Sequence, residues 1–312
     1  MTAALSLKGV VKRYGRRRAL DGLDLEVPRG SVFGLVGSNG AGKTTAMAVS
    51  VGLLRIAAGS CDLLGLGPFR AETHTGRVTL LPQDSRFPPH ARVVDLLHYY
   101  GRLQGIPDDR RTADIDALLA WTHLADRARS PVRTLSHGMN RRLAIAQERL
   151  GDPELILLDE PLNGLDPREA ARIRDLIRER RGRQTIVISS HNLGDIETLC
   201  DRVAFIESGR LVRQDTLDRI TRRSHRLTYV LTGTAPIETL RREVPEVEWL
   251  VSVDGRELTG SYMEPWTPQG LNSRVVPLLL QSGELLEIRR GSDLESEYLN
   301  LTPPLPPPRG ES

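Results

Sequence analysis

The chain has 312 residues, of which 39% are hydrophobic and 27% charged, with a formal net charge of +3. That length suits one large domain or two modest ones, with enough apolar residues for a packed core. The charge excludes a strongly basic nucleic-acid stripe, so no nucleic acid is expected as a partner. No run approaches the roughly 18 apolar residues of a membrane span, and the N-terminus lacks the apolar segment of a secretory signal. Cys61 and Cys200 have no metal-ligand spacing and read as buried free thiols of a reducing cytosol.

Tyr14 stands before Gly15 near the N-terminus, an aromatic able to stack on adenine. An apolar strand over 31–36 then runs into Gly37, Ser38, Asn39, Gly40, Ala41, Gly42, Lys43, Thr44 and Thr45. This stretch satisfies G-x-x-x-x-G-K-[ST], a loop whose glycines let backbone N–H groups cradle phosphates. The periodicity predicts a helix over 44–54, whose N-terminal dipole adds positive potential. Lys43 offers a mobile cation for the outer phosphates, and Thr44 a hydroxyl for a magnesium ion bridging them. Only three lysines occur, Lys8, Lys12 and Lys43, among many arginines. Keeping a lysine in this loop points to a site that needs a compact ammonium.

Further apolar runs read as buried parallel strands, and polar groups follow each one. The run over 78–81 leads to Gln83, whose amide oxygen can serve the metal and an attacking water. The run over 155–158 ends in Asp159 and Glu160. Asp159 suits a magnesium ligand, and Glu160 a general base for water. The run over 185–188 leads to Ser189, Ser190 and His191, whose imidazole can donate to a terminal phosphate. Open α/β sheets bind ligands at the carboxyl ends of their strands, so these residues are expected at one edge. Helices are predicted over 168–180 and 194–199. The segment 86–150 holds helical patterns only, at 93–104, 115–124 and 139–150, and reads as an insertion. Within it Leu135-Ser136-His137-Gly138-Met139 opens a helix with Ser136 as its cap, a second anion site. Two such sites in one chain fit two chains meeting head to tail.

Arg219, Arg222, Arg223 and Arg226 form a basic linker. Beyond it lie strand 227–231, helix 237–243, strands 247–253 and 257–262, helix 269–281 and strand 285–290, the β-α-β-β-α-β ferredoxin-like order. A helix over 294–301 and a disordered Pro-rich tail over 303–312 complete the expectation. The predicted domains are 1–222, 223–302 and the tail.

These residues together resemble the nucleotide-binding subunit of ABC (ATP-binding cassette) transporters, over roughly 5–220 and with every motif in family order. The resemblance makes 37–45 the Walker A loop, Gln83 the Q-loop, 135–139 the signature, Asp159 and Glu160 the end of Walker B, 164–167 the D-loop with Asp166, and His191 the switch histidine. It implies an α/β P-loop cassette with a mixed sheet and a helical insertion. It also implies an ATPase using ATP and Mg2+, located peripherally on the cytoplasmic face of the membrane. Two cassettes, identical or different, would sandwich ATP, with Ser136 and Gly138 of one completing the site of the other, and a separate permease would receive the motion. His137 and Met139 replace the usual Gly and Gln of the signature, and Ser38 and Ala57 stand where proline is common. The Met variant, and 294–302 (Leu-Glu-Ser-Glu-Tyr-Leu-Asn-Leu-Thr), are similar to cassettes of ABC-2 type exporters. A non-transport ABC ATPase, or a weakly hydrolysing regulatory cassette, is the alternative.

Overall fold

A computed structural model describes residues 3–222, 226–263, 265–281, 283, 285–290, 294 and 298. Arg223, the helix expected over 294–301 and the tail over 303–312 thus lie wholly or largely outside the described residues. The chain divides into two compact units between Leu217 and Asp218.

In the first unit the strands are β1 (Ala3–Tyr14), β2 (Arg17–Pro28), β3 (Val32–Val36), β4 (Ala58–Leu63), β5 (Val78–Leu81), β6 (Leu155–Asp159), β7 (Thr185–Ser190), β8 (Arg202–Glu207) and β9 (Arg210–Thr216). The helices are α1 (Lys43–Ser50), α2 (Ala71–His74), α3 (Val93–Leu103), α4 (Asp108–Trp121), α5 (His137–Arg149), α6 (Pro167–Arg178) and α7 (Leu193–Leu199), and α8 (Leu217–Arg222) spans the division. Among the described residues, one sheet runs β5-β6-β7-β3-β8-β9, parallel except for the antiparallel edge strand β9. A second, antiparallel sheet runs β2-β1-β4.

The central strands are buried on both faces, which is why β3 and β6 read as unbroken apolar runs. Leu5, Leu7, Leu23 and Leu25 of the antiparallel sheet share one core with Phe33, Leu157 and Val187 of the parallel sheet and with Ala46 and Met47 of α1. The helix after the glycine-rich loop is therefore clamped between the two sheets. The insertion keeps its own core, in which Leu97, Ile115 and Leu118 pack on Leu143, Ala146 and Leu150 around α5.

Helix α1 ends at Ser50 rather than at 54, because Gly52 adopts a left-handed backbone (φ 73°). Helix α4 starts at Asp108, seven residues before the predicted 115, behind Pro107 and with Asp108 and Asp109 in its first turn. Strands β1 and β2 escape the apolar pattern altogether. Their pairing shifts register at several points, and each bulge moves the following side chains to the other face.

Glu148 of α5 is buried, and burial pushes its carboxyl up to about 7, against hydrogen bonds from Thr79 and Gln147 that lower it. A carboxyl raised in the folded state stabilises the fold below its unfolded value near 4.5 and loses that contribution as pH rises through about 7. Glu148→Gln is expected to stabilise the protein by about 3 kcal/mol at pH 8 and by little at pH 4.5, read by thermal melts across pH. A gain that does not grow with pH would contradict this.

The second unit contains β10 (Arg226–Leu231), α9 (Ile237–Glu243), β11 (Glu248–Val251), β12 (Glu257–Ser261), α10 (Pro268–Leu280) and β13 (Leu285–Arg290). Its antiparallel sheet runs β11-β12-β10-β13. Tyr229, Trp249, Leu258, Leu240, Leu271 and Val275 fill a core between that sheet and the two helices.

Candidate active site

The carboxyl ends of β3, β5, β6 and β7 lie in register. Val36 pairs with Ser190, and Asp159 pairs with Ser189. This brings the glycine-rich loop, Asp159, Glu160 and His191 to one edge of the sheet.

Gly42 is the N-cap of α1 with φ 113°, and a Cβ there would stand 2.8 Å from the Ala19 carbonyl oxygen. A side chain is excluded by both conformation and space. No side chain caps α1, whereas Ser136, Asp166 and Asn192 cap α5, α6 and α7. The first amides of α1 thus have no side-chain acceptor, an arrangement that suits an anion.

The Lys43 side chain is almost fully buried. Its ammonium donates to the Gly37 carbonyl at 2.8 Å and the Ser38 carbonyl at 3.3 Å, and stands 3.8 Å from Glu160 Oε1. Burial lowers its pKa, opposed by the charges of Glu160, Asp159 and Glu207. Those carboxylates hold the ammonium inside the loop. Ser38, at the position where proline is common, donates its hydroxyl to both carboxylate oxygens of Glu207 at the end of β8, at 3.0 and 3.1 Å.

A cavity of about 380 Å³ opens over this loop. Tyr14, Asn39, Gly40, Gly42, Lys43, Thr44, Thr45, Gln83 and Glu160 line it, joined by Arg17 and Ala19. Gly37, Ser38 and Ala41 lie outside that lining. Arg17 was not anticipated as a site residue. It sits across the hairpin turn from Tyr14 and donates to the Gly40 carbonyl at 3.4 Å.

Behind the cavity, Ser189 organises the acidic pair. Its hydroxyl donates to Asp159 Oδ1 at 2.5 Å and accepts the Glu160 N–H at 2.8 Å. Glu160 Oε2 lies 3.0 Å from His191 Nδ1. Glu160 has φ 47°, a left-handed conformation that costs a non-glycine residue about 1–2 kcal/mol. This turn places its carboxylate between Lys43 and His191.

Ser136, Gly138 and Asp166 are not among the residues lining that cavity. The Ser136 hydroxyl accepts from Met139 N at 3.2 Å and Asp166 accepts from Arg168 N and Glu169 N at 3.0 Å each, both as helix caps. At Gly138 a Cβ would stand 2.5 Å from Glu169 Cγ, so a side chain there would displace the Glu169 side chain from its ion pair with Arg142.

The matched family model is that of the ABC transporter, over residues 20–163. A Nod factor export ATP-binding protein I of Cupriavidus pinatubonensis is 34% identical, over 97% of this chain and 91% of its own. The daunorubicin resistance ATP-binding protein DrrA3 of Streptomyces coeruleorubidus is 34% identical, over 96% of both chains. Among solved structures, an ATP-binding subunit of an ABC transporter superposes with a TM-score of 0.64 at 26% identity, over 71% of this chain and 93% of that one. With its glycine-rich loop, acidic pair and histidine at one sheet edge, this chain belongs to the ABC transporter family as an ATP-binding ATPase subunit.

Proposed function

We propose that this subunit powers export of the ABC-2 type through a separate membrane permease, working as a pair of cassettes on the cytoplasmic membrane face. Relatives similar along nearly the whole chain are named for Nod factor export and daunorubicin resistance. Among the described residues no helix is long and apolar enough to cross a membrane, so a permease would supply the span. The strand order and antiparallel pairing of the second unit fit a ferredoxin-like accessory domain.

In this reading Tyr14 stacks on adenine, the loop 37–45 holds the phosphates, Glu160 accepts the proton of water and His191 orients Glu160 and the terminal phosphate. Thr44, Gln83 and Asp159 present oxygen donors, which suit a hard cation such as Mg2+. The described residues hold no cluster of three acidic, His or Cys side chains for a metal. The ion would therefore be held jointly with the nucleotide's own phosphates, whose charge it offsets.

The observation that carries the paired arrangement is that the signature helix opens elsewhere: Ser136 and Gly138 are absent from the cavity over the loop, and their neighbours His137 and Asn140 line a separate cavity with Asp84, Arg86 and Phe87. Ser136→Asp tests it. Aspartate caps a helix as well as serine does, but adds a negative charge where a partner's phosphate would dock. ATP binding by the single chain is expected to stay within about twofold, while turnover falls at least tenfold. Wild-type turnover in this variant would favour a site complete within one chain.

A further inference from the structure

Arg141 is a buried cation of α5 without a carboxylate hydrogen-bond partner. Among the described residues its guanidinium donates only to main-chain carbonyls. Nε reaches Pro161 O at 2.9 Å, Nη1 reaches Gln83 O at 3.2 Å, and Nη2 reaches Asp159 O at 3.1 Å and Glu160 O at 2.5 Å. Three of these acceptors are consecutive in the chain. Successive peptide units of an extended strand face opposite sides, so one planar group cannot collect three carbonyls in a row from a straight strand. The left-handed turn at Glu160 turns the three oxygens toward one side, and the rigid fork of arginine fits them. The fourth carbonyl belongs to Gln83. Helix α5 itself packs in the core of the insertion.

We infer that Arg141 is a positioning residue for ATP hydrolysis: it holds Glu160 in its left-handed backbone conformation and ties that conformation to Gln83 and the signature helix. The inference rests on Glu160 being the base. Lysine keeps the charge but offers a compact donor set without the fork, so it replaces the interaction only in part. Movement of α5 relative to the sheet would be felt at Glu160 and at Gln83 together.

The test measures ATP affinity, KM and kcat for Arg141→Met, Arg141→Lys and Glu160→Gln, and for Arg141→Met combined with Glu160→Gln. Expected results are a kcat at least tenfold lower in Arg141→Met with ATP affinity and KM within about twofold, and partial recovery of kcat in Arg141→Lys. In the Glu160→Gln background, Arg141→Met should remove less than about twofold of the residual single-turnover rate, because both changes act on one group. Should circular dichroism show Arg141→Met unfolded, Arg141→Gln carries the same criteria. Glu160→Gln inactive beside wild-type kcat in Arg141→Met, or full additivity in the double variant, overturns the positioning role alone. Wild-type turnover in Glu160→Gln overturns the base assignment, and the positioning role with it.

Discussion

Replacing Glu160 with glutamine is expected to cut ATP turnover by at least about 100-fold while ATP still binds, because general-base catalysis contributes 10²–10⁴ and the amide cannot take a proton. The substitution preserves shape. Its N–H still reaches Ser189 Oγ and its carbonyl still reaches Arg141, so the left-handed turn survives. The 3.8 Å ion pair with Lys43 disappears, which frees the ammonium for phosphate. Nucleotide affinity should therefore be equal or higher. Turnover and equilibrium binding measured on the same preparation check both halves. A variant that binds ATP and hydrolyses it at the wild-type rate would remove Glu160 from the chemistry.

Lys43→Ala is expected to lose ATP binding by at least about 100-fold, and turnover with it. The ammonium is the mobile cation of the loop and is poised against two carbonyls that polar phosphate oxygens can replace. Its removal leaves Gly37 O without that donor and Glu160 without its nearest cation. Stability is expected to fall as well, since buried Glu160 loses its nearest cation, although the desolvation of Lys43 itself is relieved. Titration with a fluorescent nucleotide, alongside thermal melts, separates lost binding from lost folding. Wild-type affinity in Lys43→Ala would contradict the loop's role.

Much of the site was legible because its chemistry sits where apolar strands stop. Gly37 follows β3, Gln83 follows β5, Glu160 follows β6 and His191 follows β7, each run buried apart from the half-buried Leu80 of β5. The N-terminal strands were not legible, because bulges break their alternation. The resemblance places Asp166 in the D-loop, among the residues expected at the nucleotide. In this chain its carboxylate caps α6, ahead of Pro167 and with Glu169 at the third helical position, a helix-start pattern that the sequence carries openly. Arg141, and the role of Ser189, were hidden for another reason. Their partners lie up to 58 and 30 residues away, in strand-end turns whose shape no local pattern encodes. Arg17 was hidden likewise, since only the β1–β2 pairing carries it to Tyr14 beside the loop.

The proposed paired arrangement would unite these parts, because each chain carries a glycine-rich loop beside Glu160 and, apart from them, a capped signature helix. Sedimentation velocity of Glu160→Gln, with and without MgATP, tests it most directly. The account predicts a monomer without nucleotide that becomes a dimer of about twice the mass when MgATP is added, and reverts when ATP is removed. A species that binds ATP yet sediments as a monomer at saturating MgATP would contradict it.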